Sequence, residues 1–165
     1  MTTVGVGSGM NFYDSRACYS RALQYYPIFL NLRDRPVLVA GAGKVGLRKT
    51  RGLLDAGAQV TVVSPVALDE FDSLPVRHLR RRFRASDLAG ISLVFAATND
   101  RTVNHRIALA ARQRGILANI ADSPEECDFL VPARISHGSV QIAVSTGGSS
   151  PRLAAELRRK LEQIL

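Results

Sequence analysis

The sequence has 165 residues, enough for one domain or for one domain with a small appended unit. Hydrophobic residues make up 46% of it and no apolar run approaches the ~20 residues that span a bilayer, so the composition predicts an aliphatic core and excludes a membrane-spanning segment. The formal net charge of +8 allows a nucleic-acid, membrane-surface or acidic small-molecule partner. No nucleic-acid-binding motif is found, which favours a polyanionic small molecule.

Residues 1–24 are predicted to form a leader that is disordered or partly helical, since Met1–Met10 has neither the basic start nor the apolar centre of a signal peptide. Cys18 and Cys127 lack C-x-x-C spacing, which predicts no disulfide and favours a reducing, cytoplasmic setting. The histidines are widely spaced, so no metal site is predicted. After the leader, Tyr26–Leu32 is predicted to be an extended segment at a sheet edge, because Pro27 lacks a backbone donor.

The strongest pattern is a strand, a glycine turn and a helix in succession. Val37–Ala40 is a continuous apolar run typical of a buried parallel strand. Gly41, Gly43 and Gly46 then follow in the spacing G-x-G-x-x-G, and a helical pattern ends near Gly57. The predicted helix places Val45, Leu53 and Leu54 on its core side and Arg48, Lys49 and Arg51 on its polar side.

In this context the glycine spacing predicts a dinucleotide-binding turn rather than a glycine-rich turn without a ligand. Gly41 allows a tight turn, Gly43 allows close approach of a pyrophosphate, and Gly46 allows the helix to pack on the strand. The predicted cofactor contacts at this turn are Gly41, Gly43, Lys44, Val45 and Gly46.

The second strand, Val60–Val63, ends where a dinucleotide-binding domain often carries an acidic residue for the ribose hydroxyls. Ser64 stands there instead, and Asp69 and Glu70 come slightly late, so this position does not decide between NAD and NADP. Ser64, Pro65 and Val66 are predicted to contact the cofactor.

The next segment, Val76–Phe83, is predicted to be a third strand, with the basic run Arg80–Arg82 on its solvated edge or in its exit loop. Ser86–Leu88 is predicted to be a short helical link. Ile91–Ala97 is predicted to be a central strand that delivers three cofactor contacts, Thr98, Asn99 and Asp100, to the carboxyl end of the sheet.

Asp100 or Thr102 is expected to cap a helix running to about Arg114, and a fifth strand is predicted at Ile116–Ile120. Alternation of strands and helices favours a parallel sheet, and residues 25–124 are therefore predicted to be a Rossmann domain that binds NAD or NADP.

The pattern changes after Pro124. Phe129–Ile135 and Val140–Ser145 predict a β-hairpin, and a last helix is predicted with Ser150 as its N-cap. Its apolar stripe is formed by Leu153, Leu157, Leu161 and Leu165. Residues 125–165 are therefore predicted to be a dimerisation and substrate unit. The predicted fold class is α/β, a Rossmann-like doubly wound parallel sheet followed by this hairpin and helix.

Several motifs, in order, resemble the family of precorrin-2 dehydrogenases and sirohydrochlorin ferrochelatases, which includes the amino-terminal module of siroheme synthase. The resemblance extends from about Tyr26 to the end of the chain. The matching segments are 27–32, 39–49, 96–100 with Val103 and Asn104, 119–124, 127–132 and 143–151.

The resemblance implies NAD-dependent oxidation of precorrin-2 to sirohydrochlorin, in siroheme or cobalamin biosynthesis, by a homodimer. It also implies Fe²⁺ insertion in some members. The family usually continues with a further helical segment beyond the position of Leu165, so ferrochelatase activity is left open. The resemblance assigns Asp122 as the general base.

The residues themselves allow two functions for Asp122, a proton acceptor at the ligand-binding end of the sheet or a turn residue in Asp-Ser-Pro. The turn before the last helix either offers backbone N–H groups and hydroxyls to an anion or only caps the helix. The residues predicted to bind substrate are Asn119, Ser145, Thr146, Gly147, Gly148, Ser149 and Ser150. A non-catalytic NAD-sensing module and a DNA-binding redox sensor are the alternative functions.

Overall fold

The computed structural model describes residues 25–164, so the predictions for the leader and for Leu165 lie outside the described residues. The elements in chain order are β1 (Pro36–Ala42), α1 (Lys44–Asp55), β2 (Gln59–Ala67), β3 (Arg77–Leu79), β4 (Leu93–Ala96), α2 (Arg101–Arg112), β5 (Leu117–Ile120), β6 (Ala133–His137), β7 (Val140–Val144) and α3 (Pro151–Glu162). Short 3-10 helices lie at Asp69–Phe71, Ala85–Leu88 and Pro124–Glu126. Among these described residues, no helix has the length and apolar character needed to cross a bilayer.

The first five strands form one parallel sheet in the order β3-β2-β1-β4-β5. Chain order runs outward from β1 in one direction and then restarts at β4 in the other, so the switch point lies between β1 and β4. In sheets of this kind, ligands bind in the crevice at the carboxyl ends of the strands at the switch point. The fold therefore places the glycine turn after β1 and the residues after β4 on the same crevice.

Apolar side chains cover both faces of the sheet, because β1 is central and its side chains alternate. Val37 and Val39 pack with Leu47 and Leu53 of α1 on one face. Leu38 and Ala40 pack with residues of α2 on the other, namely Ile107, Ala108 and Ala111. The predicted fold class is confirmed by this sheet with helices on both sides and by the separate hairpin and helix that follow it.

The prediction that Val45 belongs to the core face of α1 is wrong. The buried residues of α1 are Gly46, Leu47, Thr50 and Leu53, whereas Val45 is 37% exposed. Gly46, Thr50 and Leu53 recur at helical spacing and form the buried face, whereas Val45 lies one turn before Lys49 on the margin of that face.

Two predicted extended segments differ in the structure. Tyr26–Leu32 forms no strand, and the Tyr26 side chain is 86% exposed, so the sheet-edge prediction is wrong. The third strand ends at Leu79 rather than Phe83, because the chain turns there and the Arg81 amide donates to the Leu79 carbonyl.

The basic run after β3 is an exit loop in which two arginines form ion pairs. Arg80 pairs with Asp72 on the surface, and Arg81 makes a two-pronged contact with Asp87, whose side chain is only 5% exposed. Hydrogen bonding from Arg81 lowers the pKa of the Asp87 carboxyl. Part of the positive charge is thus used within the fold.

β6 and β7 pair as an antiparallel hairpin with Gly138 and Ser139 between them, and Gly138 adopts the positive φ of 58° that a tight hairpin turn favours. α3 packs against this hairpin. Its Ser150 N-cap accepts a hydrogen bond from the Leu153 amide. Leu153 and Leu157 of the predicted apolar stripe remain exposed.

Candidate cofactor and substrate site

The three glycines of the turn meet different constraints. Gly41 has a φ of +100°, and a Cβ built on it would lie 2.3 Å from the Ala97 carbonyl oxygen. A Cβ on Gly46 would lie 2.0 Å from the Gly41 carbonyl oxygen, whereas a Cβ on Gly43 would meet nothing within 4 Å. Gly41 and Gly46 are therefore required by the packing of the turn itself, and Gly43 leaves open space.

That open space lies at the start of α1. Gly43 is the N-cap of the helix and supplies no side-chain cap, so the first backbone N–H groups remain available to a ligand. Backbone donors and the helix dipole at such a terminus favour a phosphate group. Gly43 also lines a cavity of about 680 Å³, called here the first cavity, at the switch point of the sheet.

The first cavity brings together most of the residues predicted to bind the cofactor. Its lining includes Gly41, Gly43, Ser64, Pro65, Val66, Thr98, Asn99 and Asp100. Three predicted contacts do not line it. Gly46 is buried beneath the turn, Lys44 is exposed at the first position of α1, and Val45 lines a different cavity.

The wall of the first cavity beside β2 has no free carboxylate. The Ser64 hydroxyl donates to the Val66 carbonyl at 2.6 Å, and Asp69 and Glu70 do not line the cavity. The only acidic lining residue among those described, Asp100, caps α2 by accepting from the Thr102 and Val103 amides. The basic lining residues are Arg82 and Arg106, so the first cavity attracts an anionic ligand.

Asn104 connects the first cavity to Asp122. This fully buried side chain of α2 accepts through Oδ1 from the amide and the hydroxyl of Thr98, at 3.2 and 2.7 Å. Its Nδ2 donates to the Thr98 carbonyl at 3.1 Å and to the Asp122 carboxylate at 3.0 Å. All four hydrogen-bonding positions of the amide are used, which fixes Asp122 relative to a wall of the cavity.

Asp122 itself is exposed, and the charge of Arg101 is close enough to interact with its carboxylate. Arg101 lies nearby, contacting the Ser123 hydroxyl at 3.1 Å and the Glu126 carboxylate at 2.6 Å. The hydrogen bond from Arg101, reinforced by one from His105, lowers the pKa of Glu126 to about 2. Glu126 is therefore committed to an ion pair at neutral pH, whereas the Asp122 carboxylate is exposed to a ligand.

A second cavity, of about 370 Å³, lies between α1, β5 and the hairpin with its helix. Of the residues predicted to bind substrate, its lining includes Asn119, Ser145, Thr146 and Gly148. Val45 and Lys49 of α1 form part of its wall, and Ala121 brings it next to Asp122. Asp122 lines neither cavity, but Ala121 lines the second and Asn104 joins Asp122 to Thr98 of the first.

The hydroxyls predicted to bind anions before α3 are held within their own turn. Ser149 donates to the Thr146 carbonyl at 2.6 Å, and Ser150 accepts from the Leu153 amide at 3.2 Å. The Thr146 hydroxyl exchanges hydrogen bonds with the Ser150 backbone, and Gly147 donates to Ser145. Gly147, Ser149 and Ser150 do not line the second cavity, so this segment contributes to its wall through Ser145, Thr146 and Gly148.

Two side chains of the site were not among the predicted site residues. Asn104 lies one residue beyond the apolar Val103 in a helix, and its burial between Thr98 and Asp122 depends on the ends of β4 and β5. Lys49 was assigned to the polar face of α1, yet its Nζ donates to Asn119 Oδ1 at 2.8 Å. Both residues belong to the segments that carry the family resemblance, and this was the one signal in the sequence.

Among residues 25–164, no group of three or more His, Cys, Asp or Glu side chains is arranged to hold a metal ion. Cys127 is half-buried, and its Sγ lies 3.1 Å from the Ile120 amide and 3.2 Å from the Ile120 carbonyl oxygen. Burial raises the pKa of this thiol, so it serves the backbone after β5 as a neutral hydrogen-bonding group.

Comparisons with known proteins place these features in a family. A family model described as "Putative NAD(P)-binding" matches residues 28–133, and one described as "Sirohaem biosynthesis protein central" matches residues 137–164. A siroheme synthase of Methylococcus capsulatus is 47% identical over 144 residues, which cover 85% of this chain and 30% of that protein. A siroheme synthase of Nitrosomonas eutropha is 41% identical over 148 residues, which cover 87% and 31%.

The chain thus spans about a third of the length of these curated relatives. Among solved structures, SirC, a precorrin-2 dehydrogenase, superposes with a TM-score of 0.75 and 31% sequence identity over 86% of this chain and 71% of its own. Fold, glycine turn and matched family define a Rossmann-type NAD(P)-binding protein. The chain belongs to the precorrin-2 dehydrogenase and sirohydrochlorin ferrochelatase family, to which the amino-terminal module of siroheme synthase also belongs.

Proposed function

We propose that the chain catalyses the NAD-dependent oxidation of precorrin-2 to sirohydrochlorin, a step of siroheme or cobalamin biosynthesis. The observation that carries the proposal is the link by which Asn104 joins Asp122 to Thr98 of the first cavity, while Ala121, next to Asp122 in the chain, lines the second. The matched siroheme synthases and SirC support the choice of substrate. Residues 25–124 would hold NAD, and residues 125–165 would complete the substrate site.

NAD, when bound, supplies the hydride acceptor. The protein then has two tasks, to hold the two ligands in contact and to take up the proton that leaves as the macrocycle gains a double bond. The N-terminus of α1 and the residues Gly41 and Gly43 would bind the pyrophosphate. Asp122 would accept the proton, because its carboxylate is exposed and accepts a hydrogen bond from the neutral amide of Asn104.

The reaction is tested by mixing the purified chain anaerobically with precorrin-2 and NAD and recording absorbance spectra. We expect the sirohydrochlorin spectrum to develop together with one NADH for each molecule formed. NAD binding without turnover would contradict the proposal and favour a non-catalytic NAD-sensing module. Fe²⁺ or Co²⁺ added afterwards tests chelation, for which Fe²⁺ is a proposed second substrate.

We also propose a homodimer, located in the cytoplasm, built through the hairpin and α3. Several large apolar side chains of this region are exposed in the single chain, namely Val131, Val140, Leu153 and Leu157. Exposed apolar patches commonly mark protein interfaces. Among the described residues, the hairpin pairs with no strand of the parallel sheet and packs on α3, so a second copy of the chain is the simplest cover for its exposed side chains.

Replacing Leu153 and Leu157 by glutamate is therefore expected to convert the dimer to a monomer, because charge would be placed in an apolar interface. Sedimentation of both proteins at tens of micromolar with NAD present measures the change. The matched control is Leu109→Glu, which alters an equally exposed leucine on α2 and should leave the dimer intact. A wild-type chain that sediments as a monomer would contradict the proposal.

A further inference from the structure

The side chain of Lys49 is partly buried, and its ammonium is held at the edge of the core by a hydrogen bond. It lies on the sheet-facing margin of α1, with its Nζ 2.8 Å from Asn119 Oδ1 and 5.4 Å from the centre of the Phe95 ring. Asn119 is 5% exposed, and its Nδ2 donates to the Phe129 carbonyl at 2.9 Å. The buried Asn119 side chain and the Phe95 ring therefore hold the Lys49 ammonium in place.

The charge of Lys49 has no acidic partner among the described residues. Its hydrogen-bond acceptor is a neutral amide oxygen, and no Asp or Glu lines the second cavity, into whose wall Lys49 is built. Arg48 lines the same cavity and adds to its positive charge. Burial lowers the pKa of the Lys49 ammonium, and the neighbouring Arg48 lowers it further. A partly buried cation without a counter-ion is costly to the protein unless a ligand supplies the opposite charge.

Most of the remaining side chains that line the second cavity are apolar or small. Its lining includes Val45, Ile120, Leu130 and Val131, with the small residues Gly148 and Ala154 at the side of α3. A cavity with apolar walls and a few fixed polar groups binds ligands whose orientation those polar groups determine. A macrocycle with carboxylate side chains on its rim has this combination of apolar and anionic surface.

From this geometry we infer that Lys49 is a substrate anchor, which binds a peripheral carboxylate of the tetrapyrrole in the second cavity while Asn119 holds its ammonium in place. The inference rests on the proposed function for the identity of the ligand. An ammonium has three donors, and Asn119 takes one, so two remain to bind a carboxylate. Because Asn119 belongs to β5, three residues before Asp122, the anchor would fix the macrocycle relative to the base.

Replacement of Lys49 by methionine tests the inference, because methionine keeps the length and the packing on Phe95 and removes the charge. The probe is sirohydrochlorin, titrated anaerobically. Its own absorbance reports binding, because the chain contains no tryptophan whose fluorescence could be followed. We expect its Kd, and the KM for precorrin-2, to rise roughly 10- to 100-fold, as for loss of a charge-assisted hydrogen bond. The Kd for NAD and the melting temperature should remain close to those of the wild type.

The matched control is Arg51→Gln, which removes one positive charge from an exposed position of the same helix and lines neither cavity. Lys49→Arg, which restores a cation, should recover much of the lost affinity. An unchanged Kd in Lys49→Met, or an equal loss in Arg51→Gln, would overturn the anchor while leaving the proposed oxidation intact. A lower melting temperature with normal tetrapyrrole affinity would show instead that Lys49 only ties α1 to β5. A wild-type chain that binds no tetrapyrrole would overturn both proposals.

Discussion

Replacing Asp122 by asparagine is expected to lower precorrin-2 turnover by roughly 10²–10⁴-fold, the usual contribution of a positioned proton acceptor. The amide occupies the same space as the carboxylate but cannot take up a proton. Its oxygen can still accept the hydrogen bond from Asn104 Nδ2, so the link to Thr98 is preserved. The fold and the affinity for NAD should therefore remain.

The separate values of kcat and KM give a second, independent measurement. A base acts in the chemical step, so Asp122→Asn should lower kcat at saturating precorrin-2. A residue that only bound substrate through its negative charge would instead raise KM when replaced and leave kcat nearly unchanged.

Asp72→Asn is the matched control, since Asp72 is a surface aspartate that pairs with Arg80 away from both cavities. It should turn over precorrin-2 at the wild-type rate. If Asp122 only shapes the Asp-Ser-Pro turn, its variant would melt at a lower temperature while turnover per folded molecule stayed nearly constant. That result would remove Asp122 from the mechanism and leave the fold and the cofactor assignment standing.

Gly43→Val is expected to abolish NAD binding, which we place in the micromolar range for the wild type, in a protein that still folds. Gly43 has φ −85° and ψ −170°, an extended conformation that valine readily adopts, and a Cβ there meets no protein atom within 4 Å. The branched side chain would instead occupy the space in front of the α1 N-terminus, where the pyrophosphate must lie. Calorimetry with NAD measures the loss.

Gly46 provides a control for the Gly43→Val test, because a side chain there would affect stability rather than the space for the ligand. Gly46→Ala places a Cβ 2.0 Å from the Gly41 carbonyl oxygen, so the helix must shift, and we expect the ~1–3 kcal/mol of destabilisation typical of overpacking, or more. Gly43→Val should lose only about 1 kcal/mol, the difference between a good and a poor N-cap. A folded Gly43→Val protein with unchanged NAD affinity would contradict the assignment of the first cavity.

The parts of the fold that depend on short segments of sequence were predictable. Apolar runs without alternation identified β1 and β4 as buried strands, and the spacing of Gly41, Gly43 and Gly46 identified the turn between β1 and α1. Ser150 was predicted as the cap of α3, and Asp100 or Thr102 as the cap of α2, where the structure has Asp100. Such caps are predictable because the side-chain oxygen lies close in the chain to the amides that it satisfies. Each of these predictions involves atoms close together in the chain.

The errors arose where distant segments decide the outcome. Tyr26–Leu32 has the apolar composition of a strand, but composition does not say whether a sheet edge is available, and the segment remains unpaired. Lys49 is solvent-facing by helical periodicity, and it becomes part of a cavity wall only because β5 and the hairpin region lie beside α1. The burial of Asn104 likewise requires Thr98 and Asp122 to meet from two different strands.

α1 also has a consequence for how this sequence can vary in length. Gly43 precedes the helix at the first cavity and Lys49, six positions later, lines the second, so the helix sets a spacing of about 9 Å along its axis between these two cavity-lining residues. One residue inserted or deleted between them would change this spacing by only about 1.5 Å but would rotate the Lys49 side chain by about 100°. Spacing and phase would have to be restored together, so the segment from Gly43 to Lys49 should admit substitutions far more readily than insertions or deletions.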